Sequence, residues 1–165
     1  MGQSKRILIA VAVLVFLICA VLALEAWRGV LIANKQEVTI DPGDVPIYQN
    51  GELTAAFSVD DISNIQQIQF TDKEEGKVQE GWPVSSVFKQ YFKTNKFSDS
   101  MQIVFTSSSR SKSISLTWGE IINTDYMVMF DLSGRGTLKL VSLLEKLDTR
   151  DEWIQDVDKI EVIEH

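Results

Sequence analysis

"DKEEGKVQEGWPVSSVFKQYF", residues 72–92, passes from a charged turn through Gly81-Trp82-Pro83 into a helix. Pro83 suits the first helical position, where a missing N–H costs nothing. Val84, Val87, Phe88 and Tyr91 then recur at i, i+3, i+4 and i+7, which makes one apolar stripe. Lys89 and Lys93 fall toward the C-terminal end, where cations favour the helix dipole. Just upstream, "IQQIQF" (65–70) alternates as a half-buried strand does. The stretch therefore predicts a strand and a turn feeding one short amphipathic helix.

Strands dominate in both directions from this helix. "EVTI" (37–40) and "PIY" (46–48) read as strands around Pro42-Gly43. Asn50-Gly51 is a strong hairpin turn leading into "LTAAF" (53–57). Ser58-Val59-Asp60-Asp61 fits an N-cap with acids in the first turn of a short helix. "MQIVFTS" (101–107) and "KSISLTW" (112–118) are strands joined by a polar turn, and Thr117-Trp118-Gly119-Glu120 fits a capping box. "YMVMFDL" (126–132) and "TLKLVSL" (137–143) form a second hairpin around Ser133-Gly134-Arg135-Gly136. "VDKIEVIE" (157–164) closes with alternating Val157, Ile160 and Val162. With no βαβ alternation, the fold class is α+β, a mostly antiparallel or mixed β-sheet domain with short helices.

The N-terminus is of another kind. Ile7 to Leu24, "ILIAVAVLVFLICAVLAL", carries no charge and no Pro. As a helix it is roughly 27 Å long at about 1.5 Å per residue, enough to cross most of a bilayer core. Trp27 follows at headgroup level, and Lys5 and Arg6 precede the run, so the positive-inside rule puts the N-terminus in the cytoplasm. Leu24-Glu25-Ala26 lacks the small residues of a signal-peptide cleavage site. Phe16 and Ile18 break a lipoprotein box around Cys19, and Arg6 stands where myristoylation wants Ser or Thr. The expected organisation is a cytoplasmic N-terminus (1–6), a transmembrane anchor (7–27), a stalk (28–36) and an extracytoplasmic domain (37–165). That places the protein as a single-pass component of the cell membrane.

Composition excludes several function classes. Sixteen Lys and Arg face 23 Asp and Glu, a net charge of −7. That argues against nucleic acid and against close adhesion to anionic lipid. The single cysteine, Cys19, lies inside the apolar run, so the domain has no disulfide and no thiolate for catalysis or metal binding. The single histidine, His165, comes last, which rules out a Ser-His-Asp set. "SGRG" (133–136) lacks the length and the following helix of a P-loop.

The order of elements resembles the oxidoreductase molybdopterin-binding domain of the sulfite-oxidase-like superfamily. The resemblance covers most of residues 46–164. It rests on Gly81, Trp82, Pro83 and Val84 stepping into a helix, on Leu138-Lys139-Leu140-Val141 after the hairpin, and on Trp153, Val157, Ile160, Glu161 and Val162. In active members a cysteine before the Gly-x-Pro step binds molybdenum. Here that segment is "IQQIQFTDKEEG" (65–76), without cysteine, and its Gln, Thr and Asp do not replace a soft thiolate. The resemblance thus implies a small divergent member that keeps the scaffold without the metal site, and no cofactor is expected. Molybdopterin is the alternative, since molybdenum can ride on the pterin's own dithiolene.

Arg110, Lys112, Arg135 and Lys139 are the candidate anion-binding residues, grips for a phosphate should a pterin bind. Each has a plainer reading: "TSSSRSKS" (106–113) as a solvated turn, Arg135 between glycines as a tight turn. Trp82, Trp118 and Trp153 read as core aromatics, and Met127 and Met129 as core thioethers. Asp60-Asp61, Asp72-Glu74-Glu75 and Asp148-Asp151-Glu152 read as solvated turns, none with calcium-loop spacing. The leading functional expectation is a non-catalytic, membrane-tethered module that binds an unknown protein or small-molecule ligand. The alternatives are a pterin-molybdenum oxidoreductase domain and an accessory or assembly subunit of a membrane complex. In the last, Ala10, Ala12, Ala20 and Ala23 would let the anchor pack on other helices.

Overall fold

The computed structural model describes residue 2 and residues 13–27 and 38–164. The chain divides into two units, Met1–Glu37 and Val38–His165. In the first, α1 is described over residues 13–27, with exposed Val, Leu, Ile and Phe side chains. Among the described residues no helix is long and apolar enough to cross a membrane. Residues 7–12 of the expected anchor lie outside the described residues, as do the stalk at 28–36, Glu37 and His165.

The second unit is α+β, built on two sheets. The first has the order β2 (Glu52–Phe57), β1 (Val45–Gln49), β9 (Lys159–Ile163), β5 (Gln102–Ser107), β6 (Lys112–Thr117). It is mixed: β1 and β9 run parallel, with Ile47 opposite Ile160, and the other pairs are antiparallel. The second sheet is wholly antiparallel, in the order β3 (Ile68–Thr71), β4 (Val78–Pro83), β7 (Met129–Leu132), β8 (Leu138–Val141). Asn50 and Gly51 both have positive φ, 52° and 83°, as the primed turn between β1 and β2 requires.

Local signals place the helices. Ser58 and Asp61 form a reciprocal capping box at the start of α2 (Val59–Ile62). Thr117 and Glu120 do the same for α4 (Trp118–Ile122). In α3 (Val84–Tyr91) the predicted stripe is the buried face: Val84, Val87 and Phe88 are inside and Tyr91 is partly covered. Pro83 is displaced from its expected place. It is the last residue of β4 and caps α3 rather than opening it, with ψ at 125°. Pairing with Met129, followed by the Val84 N–H donating to Val128 O at 3.1 Å, keeps the strand going through the proline. Several strand expectations shorten for the same reason, that alternation without a partner strand fixes no strand. The strand expected over 126–132 begins only at Met129, after a 3-10 turn at Thr124–Tyr126 and Met127 at φ 49°, and the one expected over 137–143 spans only Leu138–Val141. Residues 38–40 of "EVTI" are irregular, and of "IQQIQF" only Ile68 onward pairs.

The main core lies where the sheets and α3 meet, around Ile47, Phe57, Phe105, Phe130, Leu140 and Phe88. Alternation sends the neighbours of Phe130 and Leu140 to the opposite face of the second sheet. There Met129 and Val141 pack with Phe70 and Trp153 in a smaller cluster. Trp82 and Trp118 are core residues, as expected. Trp153 is buried too, but in that smaller cluster, and it floors the site described below.

Gly81 is fixed by a close approach rather than by a turn. A Cβ there would overlap the carbonyl oxygen of Phe130 on the paired strand. Gly81→Ala is therefore expected to destabilise the domain by about 3 kcal/mol, the upper end of overpacking costs, because backbone cannot swing aside. Denaturant titration checks this, and an unchanged midpoint would contradict the packing described.

Candidate anion-binding cleft

The four cations singled out in the sequence converge on one side of the domain. They come from three places: the β5–β6 turn (Arg110) with the start of β6 (Lys112), the β7–β8 turn (Arg135), and β8 itself (Lys139). The segment 148–156, which leads into β9, gathers them. Asp156 is its hub, at φ 58°. Its carboxylate accepts from Arg110 Nε at 2.9 Å, Arg135 Nη2 at 2.7 Å and the Thr137 hydroxyl at 2.6 Å. Two residues on, Asp158 accepts from the Ser108 N–H at 2.8 Å and its hydroxyl at 3.1 Å. Two hairpin tips are thereby pinned to one loop. Because Arg110 and Arg135 share a single carboxylate, that trio keeps a positive charge.

Lys112 is held differently. Its ammonium donates to the backbone carbonyls of Asp151 and, at 3.0 Å, Trp153. It has no carboxylate partner among the described residues, so its charge is uncompensated. Lys139 is the opposite case. It lies across from Asp131 in the β7–β8 register and pairs with it at 2.8 Å. It also donates to Gln79 Oε1 at 3.0 Å and sits 5.0 Å from the centre of the Trp153 ring. Arg150 approaches the same indole, 5.6 Å from its centre. Two cations on one indole is a favourable arrangement, since the ring face is electron-rich.

These side chains line two adjoining clefts. The larger, about 410 Å³, is bounded by Ser133, Gly134, Lys139, Arg150, Asp151, Trp153 and Gln155. The smaller, about 250 Å³, is bounded by Arg110, Lys112, Arg150, Asp151, Trp153 and Gln155. Of the four predicted cations, Arg110, Lys112 and Lys139 line a cleft directly. Arg135 lines neither and reaches the site only through Asp156.

Sequence reasoning missed Arg150 and misread the acids around it. Arg150 Nη1 pairs with Glu75 at 2.7 Å and its backbone N–H donates to Glu74 at 2.8 Å. Lys73 pairs with Asp148 at 2.8 Å. The two acidic turns expected to be solvated are instead clamped to each other. Asp72 is buried: it accepts from the Glu75 N–H at 2.7 Å and from Gln79 Nε2 at 3.0 Å. The Glu75 N–H above all holds the Asp72 carboxyl below the ordinary carboxylate range, with burial opposing it. No local pattern marks these pairs. The nearest signal was the excess of acid at 72–75 and 148–152, which two facing cationic side chains explain.

The clefts are lined by cations and one carboxylate, that of Asp151. Among the described residues no group of three or more His, Cys, Asp or Glu is placed to hold a metal ion. Cys19 belongs to the other unit. The segment before Gly81 offers Asp72 and Gln79, and both are spent on each other and on the turn. These residues do not fit the thiolate-held molybdenum that the resemblance implies for active members.

The Asp156 carboxyl is held below its ordinary range, first by the Thr137 hydroxyl and then by Arg110, with desolvation opposing. A carboxylate with a depressed folded pKa contributes stability above its unfolded value of about 3.9, and loses it as pH falls through the folded value. Asp156→Asn keeps a residue type that tolerates positive φ. It is expected to cost about 1–2 kcal/mol at pH 7, with the difference from wild type shrinking once pH is brought below the unfolded value of about 3.9. Urea titrations at the two pH values check this; a gap independent of pH would contradict the role of the charge.

No family model matches the chain, and no curated protein matches it.

Proposed function

We infer that the chain is a membrane-anchored, extracytoplasmic binding module whose domain takes a small anionic ligand at the Trp153 cleft. One observation carries this reading. In a chain of net charge −7, Arg110, Lys112, Lys139 and Arg150 line adjoining clefts over one buried indole. The chain is acidic in sum, and these two clefts gather four of its cations. Guanidinium and ammonium donors fixed by a scaffold recognise oxyanions well because little side-chain freedom is left to lose on binding.

The membrane anchor and the outward orientation come from the apolar run at 7–24 and its flanks. The likeness to molybdopterin-binding domains comes from the order of elements and the Gly81-Trp82-Pro83 step. On this reading the domain kept the cations that would face a phosphate and lost the metal ligand, so it binds without redox chemistry. A pterin-molybdenum oxidoreductase is the second reading, favoured by the same cations, because a pterin's phosphate is itself an oxyanion.

The test starts from full-length protein purified from its native host in neutral detergent. Elemental analysis is expected to find no stoichiometric molybdenum, and the denatured protein no pterin fluorescence; about one molybdenum per chain would restore the oxidoreductase. Thermal unfolding against a panel of phosphorylated and sulfonated small molecules is expected to show a ligand that stabilises the domain. The gain is about 2.7 kcal/mol at a hundredfold excess over Kd. Replacing Arg110 and Arg135 together by Gln is expected to weaken that ligand about tenfold, or about 1.4 kcal/mol. Unchanged affinity would move the site away from this cleft.

A further inference from the structure

Arg150 lines both clefts, yet its guanidinium already holds a carboxylate. That carboxylate, Glu75, comes from the β3–β4 turn, far away in the chain. Its attachment to Arg150 is not its only one, because its other oxygen pairs with Lys77 at 2.6 Å. Leaving Arg150 would therefore not strand it without a cation. The turn would also stay in place. Lys73–Asp148 and the Arg150 N–H to Glu74 bond hold it from above, and buried Asp72 holds it from within. The Glu75 side chain is free to exchange while its backbone is not.

Two features of the smaller cleft mark the kind of anion that would take its place. Lys112 brings a charge that no carboxylate among the described residues pairs with. Arg150 Nε is buried and has no hydrogen-bond partner among the described residues, so not every donor of this guanidinium is spent on Glu75. The cleft also contains one opposing charge, the exposed Asp151, and a neutral amide, Gln155. A monoanion arriving at Arg150 would exchange one carboxylate for another and gain little. A dianion adds a second charge, which Lys112 and Arg110 can meet from the other wall.

We propose that Arg150 is the ligand-contacting residue of the cleft, that its ligand is a small dianionic oxyanion bridging Arg150 and Lys112, and that Glu75 is a built-in competitor for the same guanidinium. This rests on the binding reading above and adds to it the residue, the ligand charge and the threshold a ligand must pass.

Isothermal titration of the full chain in neutral detergent, at constant ionic strength, with sodium sulfate, inorganic phosphate and sodium acetate tests it. Sulfate and phosphate should bind at least about tenfold more tightly than acetate, one extra ion-pair contact being worth about 1.4 kcal/mol. Glu75→Gln should tighten sulfate about tenfold, because the competitor is gone. A gain of affinity is the informative sign, since an ion pair with only a structural role gives none when removed. Arg150→Met should abolish sulfate binding. Should that variant unfold, Glu75→Gln alone still decides. Sulfate affinity unchanged or weaker in Glu75→Gln, or acetate binding as tightly as sulfate, would overturn the proposal while leaving an anion site. Failure of wild type and Glu75→Gln alike to bind any of the three anions would overturn the binding reading and this inference together.

Discussion

A single ammonium group links three of the second sheet's four strands. Lys139 is mostly buried, and burying a charge is costly unless it is paired and fully hydrogen-bonded. Its surroundings meet that demand: Asp131 across the β7–β8 pair, Gln79 on β4, and the face of Trp153. Gln79 in turn donates to Asp72, whose other oxygen holds the Glu75 N–H. One connected polar chain thus runs from β8 through β4 to the β3–β4 turn. Such networks are specific because every member must be satisfied at once. The turn's position sets where Glu75 meets Arg150, so the electrostatics of the cleft follow from the packing beneath it.

The first sheet supplies the opposite wall. Its parallel β1–β9 contact brings the end of the chain into the middle of the sheet, beside β5. The loop entering β9 must then cross the tips of two hairpins, and Asp156 and Asp158 secure it there. Cations from two hairpins and from the loop entering β9 are thereby brought to adjoining clefts, with Lys139 and Arg150 on the Trp153 indole.

Much of this was legible in the sequence wherever the cause was local. The stripe Val84, Val87, Phe88 and Tyr91, the Ser58 N-cap, the Thr117–Glu120 capping box and the Asn50-Gly51 turn depend on neighbours within a few residues, and the structure shows each; that Ser58 and Asp61 close a reciprocal box was not read from the sequence. The α+β class followed from the same signals. What could not be read is non-local. Asp72 looks like part of a solvated turn until Gln79 and the folded backbone enclose it. Arg150 looks unremarkable until Glu75 is brought to it across the fold. Pro83 could be recognised as a helix-entry residue, but its strand pairing with Met129 depends on a partner strand distant in sequence. Arg135 was singled out for its hairpin, although its guanidinium supports Asp156 rather than lining a cleft.

At the centre stands the proposal that an anion seats at Arg150, beside Trp153. The most direct measurement is a nitrogen–proton NMR titration of the full chain with sulfate, following the side-chain N–H signals of Arg150 and the four tryptophans. Arg150 Nε–H and Trp153 Nε1–H should shift together and saturate, with Trp82 and Trp118 nearly unmoved in the main core. Saturable shifts confined to residues away from the cleft, or no saturation at Arg150, would contradict it.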